Sequence, residues 1–292
     1  MSPTPTVGVR WQFDGSDWAA TGTPPACPVP LTFTTPVDLF RVTSVLYPGQ
    51  FRGGDYKPHG GFRLDGPGET GVINIVAPMA ATITRASQYL GGGELQYLFE
   101  FVNDCGIMYR FDHLQGLAPR LQQVASILPP ATAGDSRTTD VPSGFTVSAG
   151  EIVGMSVGFP VAGNFFFDWG VYDLRQRNTS GQSPAWQATH PGEFAAWAIC
   201  WFDNLSPGDA GRVRSLPAGD GGGAGPMSDY CFWSPGARGL AARGESPSAF
   251  DERRTLATCV APPSNTGGIL SRCTLFARRV VRLARISAVT GS

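Results

Sequence analysis

Basic side chains other than arginine are scarce in this chain of 292 residues. Lys57 is its one lysine, and its three histidines are His59, His113 and His190. With a net charge of −1, the chain has no general attraction for nucleic acid or anionic membranes. No run approaches the roughly 20 apolar residues of a membrane span. The sequence therefore predicts neither a nucleic-acid partner nor a transmembrane segment.

A metal-binding Cys-x-x-Cys spacing is also missing, although there are six cysteines, at positions 27, 105, 200, 231, 259 and 273. An even number of cysteines in turn-rich segments is typical of disulfides in an oxidising compartment. Reduced, buried thiols are the alternative. We expect at least Cys200 and Cys231, which flank a glycine-rich loop, to be bonded. Such a bond favours an extracytoplasmic location, periplasmic or secreted, although Met1 to Val9 shows no signal peptide.

Turn-forming residues are abundant, and they indicate a mainly β fold with an antiparallel sheet. Glycine (38) and proline (25) together exceed a fifth of the chain, which predicts short strands and many turns. Ala81 to Ala86 alternates as a half-buried strand does. Leu95 to Val102 and Ile107 to Phe111 predict a hairpin. One helix is expected within Leu117 to Leu128, ended by the two prolines that follow.

Composition divides the chain into three parts. Residues 1–30 are predicted to be an N-terminal arm, and residues 31–202 a β-sheet core domain. Residues 203–292 are predicted to be a glycine- and arginine-rich extension, loosely attached, because nine arginines face three acids over residues 234–292 and alternation is weak there. Within it, Leu275 to Ile286 could form one basic amphipathic helix.

The histidine at position 59 is the first candidate ligand. It lies in Tyr56-Lys57-Pro58-His59-Gly60-Gly61, between two apolar runs. Glycine lets the backbone approach an ion or a substrate closely, so a ligand site at this turn is plausible. A surface turn with a chance histidine is the alternative.

Four segments, in order, resemble the motifs of lysostaphin-type zinc endopeptidases. His59 to Arg63 resembles their His-x-Gly-x-Asp opening, and Ile75 to Ile83 resembles the Val-x-Ala-Pro-x-x-Gly-x-Val strand. Tyr109 to Leu114 is similar to their Tyr-x-His-Leu segment, and Val147 to Gly158 to their closing glycine repeat. The resemblance covers about residues 40–176.

The resemblance implies an antiparallel sheet built as a duplicated hybrid motif, and an enzyme that cuts peptide cross-links or stems of bacterial cell walls. In that family, zinc sits on the His and Asp of the opening motif and on the second His of a closing His-x-His. The position of His113 would assist the attack of water.

The chain departs from the family at the metal ligands. Arg63 stands at the Asp position, and the segment Asp168 to Asp173 replaces the closing histidines. Zinc hydrolysis needs three protein ligands and an open position, so we expect no cofactor. The first hypothesis is a non-catalytic domain that binds a cell-wall peptide, a glycan or a protein in the former groove. The residues expected to line that groove are His59, Arg63, Tyr109, His113, Trp169 and Tyr172.

Two alternatives stay open. A zinc endopeptidase with altered ligands would use His59, Asp65 and Asp168, with His113 as the catalytic helper. A structural envelope protein would use the sheet only as a scaffold. Asp65 could instead be a turn residue, while Asp112 and Asp168 could pair with Arg63 or Arg110. We also expect Arg63 itself to be paired, with Asp65 or Asp168.

Overall fold

The predicted alternating segments form the strands of a mainly β protein. The computed structural model describes residues 9–219 and 227–231. The strands are Arg10–Phe13 (β1), Trp18–Thr21 (β2), Ser44–Leu46 (β3), Gln50–Arg52 (β4), Asp55–Lys57 (β5), Gly60–Arg63 (β6), Val72–Val76 (β7), Ala81–Gly91 (β8), Glu94–Val102 (β9), Ile107–Leu117 (β10), Thr132–Ala133 (β11), Thr139–Asp140 (β12), Thr146–Val147 (β13), Ile152–Val157 (β14) and Phe166–Asp173 (β15).

One large sheet contains most of these strands, in the order β11-β8-β9-β10-β15-β6-β3. Neighbours along this path are antiparallel, except that β11 runs parallel to β8. β12 and β13 also pair with β8, and β14 joins β10 to β7. β1–β2 and β4–β5 form two separate hairpins. The prediction of a mainly β, largely antiparallel fold is confirmed.

The helices are short, and each begins with a proline at a position where its missing N–H costs nothing. They are Pro119–Ala125 (α1), Pro184–Thr189 (α2) and Pro207–Ser215 (α3), and 3-10 turns occur at Pro160–Ala162, Ser180–Gln182, Ala195–Trp197 and Trp201–Asn204. α1 is the helix predicted before the paired prolines. No helix within residues 9–219 and 227–231 has the length and apolar character needed to cross a membrane.

The boundary predicted at residue 203 is too early. The side chain of Ser206 caps α3 by accepting the Asp209 N–H, and α3 buries Ala210 and Val213 in the main core. This part of the predicted extension therefore belongs to the body. Most of the glycine-rich loop, the amphipathic helix predicted over residues 275–286 and the last two cysteines lie outside the described residues.

Two disulfides connect distant parts of the chain. Cys27 is bonded to Cys105, and Cys200 to Cys231 as the sequence predicted. The first ties the N-terminal arm to the β9–β10 turn. The second attaches the segment at residues 227–231 to the body.

Alternation gives the central strands two different faces. Tyr109 on β10 and Trp169 on β15 point into the main apolar core, where both are fully buried. The side chains of Arg110, Asp112 and Asp168 lie on the opposite face of the sheet. Successive residues of a strand point to opposite faces, so even-numbered residues of β10 and β15 are separated from the odd-numbered ones. That opposite face, here called the polar face, holds the candidate site.

The strand register arranges the polar face in three cross-strand rows, spaced by two residues or roughly 7 Å. They are an apolar row (Val102, Met108, Tyr172), an ion row (Glu100, Arg110, Gly170) and an acidic row (Asp112, Asp168, Gly61).

Candidate metal centre

A bulge in β10 brings two consecutive polar residues to the same face. Successive side chains normally alternate, but the pairing of β10 with β9 is irregular between Phe111 and Leu114. Within this irregularity His113 has φ 62°, the one positive φ among the non-glycine residues that the structure describes. Such a conformation costs about 1–3 kcal/mol and is often found at functional sites. Its consequence here is that His113 joins Asp112 on the polar face.

His113 completes a cluster of four ionisable side chains, here called the Asp–His cluster: His59, Asp112, His113 and Asp168. Potential ligand atoms of the last three all lie within 4.8 Å of one another. The Asp168 Oδ2 atom is 3.1 Å from His59 Nε2 and 3.7 Å from His113 Nε2. His59, Asp112 and Asp168 are buried, and His113 is half-buried. The imidazoles of His59 and His113 therefore lie on either side of the Asp168 carboxylate, in the middle of the acidic row.

Tyr89 on β8 determines which nitrogen of His113 carries the proton. Its hydroxyl donates to Asp112 Oδ1 at 2.6 Å and lies 3.2 Å from His113 Nδ1. Because that hydroxyl has only one hydrogen, Nδ1–H of His113 must be the donor to Tyr89. Of the two tautomers with a single proton, this bond selects the one in which Nε2 carries the lone pair.

That lone pair faces another acceptor. The separation of 3.7 Å between His113 Nε2 and Asp168 Oδ2 is too long for a hydrogen bond. Two ligands bound at about 2.0–2.2 Å to a tetrahedral zinc ion would be roughly 3.4 Å apart. The donor set of one imidazole and two carboxylates, from Asp112, His113 and Asp168, therefore has a chemistry that suits zinc, and the separation of His113 Nε2 from Asp168 Oδ2 is close to that of two zinc ligands.

His59 is better suited to orienting Asp168 than to binding the ion. Burial lowers the pKa of His59 and outweighs the opposing Asp168 carboxylate, so the ring is neutral at pH 7. Its Nε2–H can donate to Asp168, while Nδ1 is buried and has no partner among the described residues. A metal-bound histidine normally donates its second N–H to an acceptor, and His59 has none for that role.

Asp168 is held in its ionised form. Burial alone would raise its pKa, but the interactions of Asp168 with His59, followed by those with His113 and Arg52, outweigh burial and lower the pKa. Asp112 is also compensated, because Arg110 Nη2 lies 3.3 Å from its Oδ2. The ion pair between Asp112 and Arg110 is thus one of the two alternatives that the sequence left open, and it coexists with the cluster.

The altered ligand set predicted from the sequence is only partly brought together. His59 and Asp168 meet, with His113 beside them. Asp65 is not part of the cluster, because its two oxygens accept hydrogen bonds from Arg63 at 2.9 and 2.8 Å and its side chain is 43% exposed. The sequence analysis did not identify Asp112 as a candidate ligand, although its position next to His113 was a usable signal.

Three aromatic residues predicted to line a groove do not do so. Tyr109 and Trp169 are inside the main core, and the Tyr109 hydroxyl donates to the Met79 carbonyl at 3.0 Å. Tyr172 does lie on the polar face, but it is fully buried beneath Phe194, with ring centroids 5.0 Å apart. The physical reason for the first two is strand alternation, which turns them away from the Asp–His cluster.

Tyr172 also fills the space beside Gly170, within the segment Asp168 to Asp173. A Cβ atom at Gly170 would lie 2.3 Å from the Tyr172 hydroxyl oxygen. A histidine cannot be accommodated at position 170 unless Tyr172 moves.

Arg63 lies at the rim of the site and is paired as expected. Besides Asp65, its guanidinium donates to Asn164 Oδ1 at 3.0 Å and lies over the Phe166 ring, 5.7 Å from the centroid. Phe166 in turn contacts His113, with ring centroids 4.6 Å apart. Arg63 therefore borders the cluster through an aromatic ring.

We expect Arg63→Ala to lower the free energy of unfolding by no more than about 1 kcal/mol, because its ion pair is partly exposed. Urea denaturation of both proteins measures this difference. Arg137→Ala, which removes a more exposed pair with Asp135, is the matched control and should have a smaller effect. A loss of several kcal/mol at Arg63 would mean that its pair with Asp65 is desolvated in solution.

Comparison with known proteins returned no match: no family model fits the sequence, and neither a curated protein nor a solved structure is significantly similar to it. The functional assignment therefore depends on the Asp–His cluster and on the motifs described above.

Proposed function

We propose that the protein is a zinc-dependent hydrolase whose ligands are Asp112, His113 and Asp168. The observation that carries this proposal is the gathering of Asp112, His113 and Asp168, whose potential ligand atoms lie within 4.8 Å of one another, with His113 Nε2 3.7 Å from Asp168 Oδ2. A cation between these atoms would be held by all three side chains. Bound zinc supplies Lewis acidity, which activates water and polarises a carbonyl group.

The surrounding residues hold the ligands in place. Tyr89 connects His113 to Asp112 by hydrogen bonds, and His59 donates to Asp168. Such outer partners orient ligands and increase their basicity. Arg110 offsets one of the two carboxylate charges, so the cluster with neutral imidazoles has a net charge near −1 before the ion binds.

The expected substrate is a peptide cross-link or stem of a bacterial cell wall. Support comes from the four ordered motifs resembling lysostaphin-type endopeptidases, which also imply the duplicated hybrid motif. The two disulfides agree with an extracytoplasmic site of action, because such bonds persist in oxidising compartments.

A second candidate is the non-catalytic binding domain. The observation that favours it is that Tyr172 fills the space beside Gly170, which leaves no room there for a further histidine ligand, and that Phe194 covers Tyr172. A protein of this kind could still bind zinc, but it would not cleave peptides. No described feature favours a purely structural envelope protein over these two.

Hydrolysis of purified cell-wall peptide cross-links distinguishes the two candidates. We expect cleavage by the wild-type protein that is lost with a chelator and restored by zinc. His113→Ala should reduce the rate at least about 100-fold, because it removes a ligand. Arg137→Ala removes an exposed pair with Asp135, outside the Asp–His cluster, and should retain the full rate. Zinc binding without any cleavage would support the binding domain instead.

A further inference from the structure

A single arginine on the polar face binds two carboxylates. Arg85 on β8 donates from Nε to Glu100 at 2.5 Å, and from Nη1 and Nη2 to the two oxygens of Glu193 at 3.1 and 2.8 Å. Glu100 is a strand residue with only 2% of its side chain exposed, whereas Glu193 is 28% exposed and lies in a loop. The Glu100 carboxylate is thus part of the sheet, whereas the Glu193 carboxylate comes from a loop outside it.

The loop that carries Glu193 lies over the polar face. The Glu193 carbonyl accepts a hydrogen bond from Trp18 Nε1 at 2.7 Å. Phe194 packs against Tyr172 of the apolar row, and the Arg85 guanidinium lies 5.5 Å from the centre of its ring. The preceding residue, Gly192, has φ 113° and is loosely surrounded: no described heavy atom lies within 4 Å of the position that a Cβ atom would take there. The loop is therefore attached mainly through Glu193 and Phe194.

Arg85 is close enough to the Asp–His cluster to contact the same ligand. Arg85, Glu100 and Arg110 are neighbours across three strands, in the row next to Asp112. One row step of about 7 Å and two strand steps of about 4.8 Å give a separation of roughly 12 Å between Arg85 and Asp112. An extended peptide spans this distance in three or four residues.

We propose that Arg85 forms a carboxylate-binding subsite of the polar face, that Glu193 occupies it as an internal ligand, and that an acidic side chain of a peptide ligand takes its place. The location relative to the cluster rests on the proposed function, but the subsite itself does not. A planar guanidinium that binds both oxygens of a carboxylate discriminates a glutamate from a glutamine. The substrate class implied is a peptide with an acidic residue three or four positions from the bond at the cluster.

Internal occupancy should weaken binding of an external peptide. A ligand group tethered by a short loop competes at an effective concentration in the millimolar range or above. The apparent affinity of the subsite is reduced by the fraction of molecules in which the loop is displaced. Removing the Glu193 carboxylate should therefore increase the affinity for an acidic peptide by about 10-fold or more.

The test is binding of acetyl-Ala-Glu-Ala-amide and acetyl-Ala-Gln-Ala-amide to the full chain, by calorimetry in the presence of a chelator. Emission of Trp18 gives a second readout, since its indole N–H is bonded to the loop. We expect Glu193→Ala to bind the glutamate peptide at least 10-fold more tightly than the wild type, with little change for the glutamine peptide. Asp135→Ala, which removes a similar two-oxygen partner from Arg137, is the matched control and should bind as the wild type does.

The double variant Arg85→Lys with Glu193→Ala keeps the positive charge beside Glu100 but removes the planar pair of donors. It should not show the tighter binding of the glutamate peptide that we expect for Glu193→Ala alone. No gain in Glu193→Ala, an equal gain for both peptides, or a gain that survives Arg85→Lys would overturn the proposal. This measurement involves neither zinc nor cleavage, so its result does not change if the proposed hydrolase function is wrong. Likewise, failure of the Arg85 subsite would not affect the test of hydrolysis.

Discussion

Asp168→Asn should weaken zinc binding at least about 100-fold. Asp168 is both a proposed ligand and the residue that His59 orients, and loss of an outer partner alone typically costs 10–100-fold in metal affinity. The asparagine has nearly the same shape but carries no charge to attract the ion. Competition with a chromophoric zinc chelator measures the two dissociation constants directly.

Asp65→Asn is the matched control for that experiment. It removes a carboxylate that pairs with Arg63 outside the cluster, so the zinc affinity should be unchanged. Equal zinc affinities of the wild type and Asp168→Asn would remove Asp168 from the site. A loss in Asp65→Asn instead would favour the ligand set first expected from the sequence.

Gly61→Ala should lower the free energy of unfolding by about 3 kcal/mol or prevent folding. Gly61 on β6 lies opposite Asp168, and its Cβ would be 2.2 Å from the Phe167 carbonyl oxygen and 3.0 Å from Asp168 Cα. Both obstacles are backbone atoms of β15, so no side-chain rotation relieves the overlap. Overpacking that forces the backbone to move typically costs 1–3 kcal/mol or more. Urea denaturation gives the value.

Gly211→Ala is the opposite case in the same protein. Gly211 lies in α3, is exposed, and has no described heavy atom within 4 Å of its would-be Cβ. The substitution should stabilise the protein by about 0.5–1 kcal/mol, since alanine favours helix more than glycine does. A neutral Gly61→Ala would show that β6 and β15 are farther apart in solution, and hence that His59 is less firmly placed beside Asp168.

The sheet was predictable because its signal is local. The first part of β8, Ala81 to Ala86, alternates apolar and polar residues, and turns at glycine and proline separate the strands. The short helix α1 was predictable for the same reason, because the prolines that end it are close to it in the sequence. The 203 boundary failed because α3 has few apolar residues, and its attachment depends on Ala210 and Val213 meeting a core formed elsewhere in the chain.

The composition of the site was harder to predict, because one bulge changes which residues share a face. Strict alternation would place Phe111 and Tyr109 on the same face as His113, and the resemblance also placed Tyr109 in the groove. The irregular pairing near His113 breaks that count and puts Asp112 and Arg110 there instead. Tyr89 comes from a strand more than 20 residues away, so no local pattern connects it to the cluster.

The central claim is that a zinc ion sits between Asp112, His113 and Asp168. Anomalous X-ray scattering at the zinc edge, from crystals of the full chain purified without chelator, tests it most directly. We predict one strong peak per chain, about 2.0–2.2 Å from His113 Nε2 and from an oxygen of each carboxylate. No peak at this position in crystals supplied with zinc, with Asp168 still hydrogen-bonded to His59, would contradict the claim.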